Sequence, residues 1–212
     1  MKKSIKIWFV AGLAAAMFGV CAPASAQLLS DTNDAVLGNY DIGYTTAGQQ
    51  FTTGSSSATI DSVAVLSYFN SGTPEDFTVG IYSDASGVPG SLLSNGALTG
   101  PTTLETETTD IYDATGLTLS PNTAYWVVFS NPAGAANYVE VKNTSSTTFT
   151  STAGWVFGQT AVSTSGLSGP WNLDSNLNAL IAINGTAAVP EPSVLALAGL
   201  GGFGLMFFRR KK

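Results

Sequence analysis

No run of about 12 residues between positions 27 and 190 carries the apolar period of a helix. Strands are left as the elements of the fold. β-Branched and aromatic residues cluster in short runs, set apart by Gly, Pro, Asn and Ser, the pattern of an all-β domain. Gln50-Phe51-Thr52-Thr53 precedes a Gly/Ser turn, and Ile60 to Phe69 is a long apolar run ending at Asn70-Ser71-Gly72. Phe77, Val79 and Ile81 alternate onto one face, before a turn at Gly87-Val88-Pro89-Gly90. Leu117 and Leu119 alternate ahead of Ser120-Pro121-Asn122. Tyr125 to Phe129 is apolar on both faces, as a central strand is, and this assigns Trp126 to the core. Tyr138-Val139-Glu140-Val141, Gly154-Trp155-Val156-Phe157 and Asn178 to Asn184 complete the series. Eight or more strands at this spacing predict a single two-sheet sandwich, jelly-roll-like, with an immunoglobulin-like topology as the alternative. The 164 residues from Gln27 to Pro190, 45 of them Ser or Thr, make one domain, long enough to bury about 70% of its unfolded surface.

Charge removes several functions. Of eight basic residues, seven lie in two terminal tracts: Lys2, Lys3 and Lys6, then Arg209, Arg210, Lys211 and Lys212. Between the tracts stand Lys142 alone and all 14 acids, a net of −13. Such a body repels phosphate backbones, so nucleic acid is excluded as a partner. The chain has no His, hence no His base, Ser-His-Asp triad or His-ligated zinc. The one Cys, Cys21, allows no intrachain disulfide.

The two ends read as addresses. Met1-Lys2-Lys3-Ser4-Ile5-Lys6 is a positive n-region, Ile7 to Val20 is an uncharged apolar stretch, and Ala24-Ser25-Ala26 is an A-x-A cleavage site. Residues 1–26 are therefore a signal peptide, cut by signal peptidase to leave Gln27 first. Val20 stands where a lipobox needs a small residue, so Cys21 leaves with the signal. Residues 27–188 are the body and residues 189–212 a separate tail. In the tail Val189-Pro190-Glu191-Pro192-Ser193 precedes fifteen apolar residues, Val194 to Phe208, and Arg209-Arg210-Lys211-Lys212 closes it. As a helix the apolar run spans roughly 22 Å, short of the ~30 Å hydrocarbon core. It suits transient inner-membrane insertion better than permanent anchoring, with the basic cluster held on the cytoplasmic side.

This tripartite tail resembles the PEP-CTERM sorting signal of Gram-negative bacteria, in the order Pro190-Glu191-Pro192, apolar helix, basic cluster. The resemblance implies recognition and cutting near the motif by an exosortase, an integral-membrane cysteine protease or transpeptidase. It also implies an association with exopolysaccharide production. In the body, several runs together resemble the choice-of-anchor domain, type R: Gln50 to Thr53, Phe77 to Asp84 with Gly87 to Gly90, Leu117 to Val128, and Gly154-Trp155. That resemblance covers roughly residues 34 to 186. It implies an exported module and transfers no catalytic residue.

Within the body three kinds of site are open. Glu75-Asp76 and Glu105-x-Glu107 are the nearest acid pairs for glycosidase chemistry, but nothing apolar around them would raise a pKa. Calcium takes oxygen ligands and needs no His or Cys. Asp31-Thr32-Asn33-Asp34, through Asp31, Asn33 and Asp34, and Asp110 with Asp113 are its candidates, and Asx turns explain both without metal. Trp155 and Trp171 lie among Gly, Ser and Thr and are the candidates for stacking on sugar; the alternative is that they cap the core. Asn143-Thr144-Ser145 and Asn184-Gly185-Thr186 match the N-glycosylation acceptor. The expectation is an exported, non-enzymatic surface or extracellular-matrix protein without a resident cofactor other than calcium, associated with exopolysaccharide or biofilm. A lectin-like carbohydrate-binding module is the alternative.

Overall fold

The structure is a computed structural model, and it describes residues 25–69, 77–102, 107–132, 139–152, 154–174 and 177–188. The strands are β1 (Ala26–Ser30), β2 (Gly38–Ile42), β3 (Thr46–Thr52), β4 (Ala58–Phe69), β5 (Thr78–Asp84), β6 (Pro89–Ala97) and β7 (Thr108–Leu119). They continue with β8 (Ala124–Ser130), β9 (Val139–Thr144), β10 (Thr150–Ser151), β11 (Val156–Ser163), β12 (Asn172–Asp174), β13 (Asn178–Ala179) and β14 (Ile181–Ala187). Among the described residues the only helical element is one 3-10 turn, Gly166–Ser168.

The strands form two antiparallel sheets. One runs β10-β1-β14-β4-β9-β13, with β7 on the other edge of β4 and β2 on β9. The other runs β12-β11-β3-β8-β5-β6. Period-two alternation directs one row of each strand inward. From the second sheet Phe51, Val79, Ile81, Tyr125, Val127 and Phe129 meet Ile60, Val63, Val65, Val141, Ile181 and Ile183 of the first. Phe51 stacks on Trp155 at 5.9 Å and 6°, and Phe77 on Phe129 at 6.5 Å and 3°, offset geometries that aromatic quadrupoles favour.

A few polar side chains cross between the sheets. Gln49 is fully buried; its Oε1 accepts from the Ala179 amide at 2.9 Å, and its Nε2 donates to the Gly158 and Gln50 carbonyls at 3.1 Å. Tyr40 Oη donates to Thr160 Oγ1 at 3.3 Å. Each bond satisfies a group that burial would otherwise leave costly.

Two expectations change in detail. Tyr125 to Phe129 is indeed an interior strand, β8, between β3 and β5. Trp126 is fully buried, as expected of a core residue, but on the side away from the main core. It forms a second cluster with Val128 and Ala161 on the outer face of that sheet, under Tyr82 and Trp171. The turn expected at Gly87 to Gly90 lies earlier, closed by the Ala85 amide donating to the Val88 carbonyl at 2.8 Å. Ser86 (φ 59°) and Gly87 (φ 88°) take its left-handed positions, and Pro89 already opens β6.

Candidate functional site

The end of β1 and the chain just before β10 enclose a cavity of about 160 Å³, lined by Ser30, Asp31, Asn33, Asp34, Thr148, Phe149 and Thr150. Local chemistry builds its floor. After β1 the Asp34 amide donates to the Asp31 carbonyl at 3.0 Å, closing a turn of the kind Asx residues favour. That turn folds the two carboxylates back toward each other. Pairing of Ser30 with Thr150 and Leu29 with Ser151 brings the second wall alongside. Of the two calcium candidates, the first, Asp31, Asn33 and Asp34, therefore lines one cavity. Ser30 joins them as the chain neighbour of Asp31, and Thr148 and Thr150 come alongside with the pairing of β10, with no local signal to mark them.

Asp31 is only 4% exposed. Its Oδ1 accepts from the Ile181 amide at 2.9 Å, while its own amide donates to the Ile181 carbonyl at 3.2 Å. The side chain thus prolongs the β1–β14 ladder by one bond. Its Oδ2 is buried without a hydrogen-bond partner, and so is Asp34 Oδ2. Burial pushes the Asp31 carboxyl up to about 7; the Ile181 amide opposes the shift, and the negative charge of Asp34 adds to it. The one basic side chain of the body, Lys142, pairs instead with Glu140 at 2.8 Å and lies over the Tyr68 ring. Among the described residues no three acidic side chains gather in one place.

The other candidates separate. Asp110 and Asp113 do not form a joint site. Three residues apart on β7 they face opposite sides of the sheet; Asp110 is buried and accepts from Ser67 Oγ, whereas Asp113 is exposed. Glu107 is exposed, and its partner Glu105 lies outside the described residues, as do Glu75 and Asp76. Trp155 is 2% exposed and stacked on Phe51. Its ring faces are closed to a sugar, so the stacking expectation is corrected here to a core role. Trp171 is half-buried against the outer cluster, and Leu173, two residues along the chain, is 51% exposed. Asn143 is buried within β9, which closes it to glycosylation in the folded chain; Asn184 lies in β14, bonded to Ser62 Oγ at 3.3 Å.

At the predicted signal-peptidase site Ala26 and Gln27 belong to β1, opposite Gly185 and Asn184 of β14, and Ala24 lies outside the described residues. Pro190, Glu191 and Pro192, and Arg209, Arg210, Lys211 and Lys212, also lie outside them. The last described feature ahead of that tail is the Ala188 amide donating to the Ser57 carbonyl at 2.7 Å. Among the described residues no helix is long and apolar enough to cross a membrane.

Residues 188–211 match the PEP-CTERM protein-sorting motif. The motif implies an exported protein, handled by exosortase and sorted to the cell surface. No curated protein matches the chain.

Proposed function

We propose that this chain is a non-enzymatic surface or extracellular-matrix protein. Its β-sandwich body would be the delivered cargo, and its last 24 residues a sorting label removed or exchanged by exosortase after transient inner-membrane insertion. The observation that carries the reading is the sorting motif at residues 188–211, which begins one residue beyond the last strand. The body's net charge keeps copies apart and disfavours an anionic membrane, as suits a protein released to the outside. A jelly-roll topology, the likeness to the choice-of-anchor domain and an association with exopolysaccharide or biofilm belong to the same proposal.

The sheet order also fits an N-terminal signal peptide on residues 1–26. β1 pairs with β14 and β10, which come from residues 150 to 187. It cannot dock until those late residues have crossed the membrane. The Ala26–Gln27 bond therefore stays unpaired, and open to signal peptidase, for most of translocation.

Deleting residues 190–212 tests the sorting step. The full chain should yield a processed surface or extracellular product, with both ends fixed by intact mass. The truncated chain should accumulate in the periplasm or leave by another route. Unchanged fractionation and unchanged mass processing would overturn the sorting claim.

A second reading, carbohydrate binding, is favoured by one feature: Trp171 lies half-buried on the outer face of a sheet, packed on the Trp126 cluster, where the open part of a flat ring can stack on a pyranose. A glycan array on the exported protein should then show binding that Trp171→Ala removes. Absence of any glycan signal, or a signal untouched by that substitution, ends this reading.

A further inference from the structure

We propose that the cavity between Asp31, Asp34 and the Thr148–Thr150 segment is a divalent-cation site that takes calcium and clamps the N-terminal strand to β10. This inference does not depend on how the chain is sorted.

Two carboxylate oxygens, Asp31 Oδ2 and Asp34 Oδ2, are buried at the cavity and accept no hydrogen bond. Leaving an ionised oxygen in that state is among the costliest arrangements in a folded protein, and buried charges are normally paired or metal-bound. Within the body no free cationic side chain is available to pair with it. Lys142 is the only cation between residues 7 and 208, and it is committed to Glu140. Either a proton, taken up as burial raises the Asp31 pKa, or a cation from solution must meet the charge.

The lining chemistry selects the ion. Six of the seven lining residues carry carboxylate, amide or hydroxyl oxygens, the seventh is Phe149, and none carries sulfur or imidazole. A set made only of hard oxygens suits calcium, which accepts six to eight such ligands in irregular geometry, better than zinc or copper. A volume of about 160 Å³ holds the ion with water completing its shell, at ~30 Å³ per water. Magnesium demands stricter octahedral geometry at shorter distances, which walls from two separate segments are poorly placed to supply. Two carboxylates put the affinity in the range of extracellular calcium modules, Kd on the order of 10⁻⁴–10⁻³ M.

The structural consequence follows from where the walls belong. Asp31 Oδ1 already holds the Ile181 amide of β14, while Thr148 leads into β10, a two-residue edge strand that begins at Thr150. An ion bound between them ties the two-residue β10 to the much better-paired β1–β14 ladder.

The test uses the full chain, purified in mild detergent and stripped with EDTA. Calorimetric titration with calcium chloride should show one site with Kd on the order of 10⁻⁴–10⁻³ M. At about ten times that Kd the melting temperature should rise by about 3–6 °C, whereas equal magnesium should give less than half the shift. Asp31→Asn keeps the oxygen that meets Ile181 and Asp34→Asn alters the other wall; each should weaken binding at least tenfold. Amide hydrogen exchange should slow with calcium at residues 28–34 and 148–151. Absence of heat and melting shift in the wild-type chain at 10 mM calcium overturns the proposal. So does binding that survives in Asp34→Asn, or exchange protection confined to other segments. Should Asp31→Asn fail to fold, Asp34→Asn and the exchange map decide alone.

Discussion

Asp84→Ala lowers the melting temperature by about 6–12 °C. The Asp84 carboxylate stands at the end of β5 and gathers three donors: Gln50 Nε2 at 2.8 Å, the Trp126 indole Nε1 at 2.8 Å and the Gly87 amide at 3.0 Å. They come from β3, from β8 and from the turn into β6, so one side chain fastens the outer face of three adjacent strands and a hairpin turn. Trp126 is fully buried. Its indole N–H therefore has no water to fall back on when the carboxylate leaves, and an orphaned buried donor costs about 1–3 kcal/mol. Loss of the charged bonds to Gln50 and Gly87 brings the total to about 3 kcal/mol, which in a domain of this size shifts melting by about 2–4 °C per kcal/mol. Thermal unfolding followed by near-UV circular dichroism reads the result; a shift under about 2 °C overturns the account of Asp84 as the acceptor on which these donors depend.

The same carboxylate gives the fold an acid-sensitive element. Burial by itself raises the Asp84 pKa, but the Gly87, Trp126 and Gln50 donors outweigh burial and hold it below the ordinary carboxylate value. The native chain then binds fewer protons here than the unfolded chain does. This contribution to stability is complete above the unfolded pKa near 4 and is lost as pH falls through the lower native pKa. Asp84→Asn should abolish that part of the acid dependence while costing less at pH 7 than alanine does.

Gly185→Val should prevent stable folding, at a cost above about 4 kcal/mol. Gly185 is buried in β14 where the pairing with β4 shifts register between Asn184 and Gly185. A Cβ there would run into the Thr59 carbonyl and stand 3.1 Å from both Ile60 Cα and Leu28 Cδ1. Two of those three obstacles are backbone of the adjacent strand, so rotamer changes cannot relieve the clash. Ordinary overpacking costs about 1–3 kcal/mol; here a strand must also part from its neighbour. Gly185→Ala should show a milder loss in the urea midpoint, and a valine variant with a wild-type midpoint would refute the close approach. The position matters to export as well, because β14 is the strand from which the sorting segment leaves.

The identity of many strands was legible from local chemistry. Phe77, Val79 and Ile81 face the core together because adjacent strand residues alternate sides, and the doubly apolar Tyr125 to Phe129 run became an interior strand. Edge strands escaped the same reading. β2, β10 and β12 are short or polar, as in Gly38–Ile42 or Thr150–Ser151, and their place comes from hydrogen bonds to partners far along the chain. β11 was seen only at its first residues, since Gly158 to Ser163 reads as a polar stretch until β3 pairs with it.

What the sequence by itself determined is the class of the body, its anionic character and the tail at residues 188–211, because period, charge and motif order are properties of neighbours in the chain. Tertiary structure alone decided that Trp155 is core and Trp171 is surface, since both sit in similar Gly/Ser/Thr surroundings. It also decided that Asp31 and Asp34 share a cavity while Asp110 and Asp113 do not. The physical reason is that burial and the absence of a counter-ion are set by residues more than a hundred positions away, by Ile181 and Thr150 against Asp31, and local sequence holds no record of them.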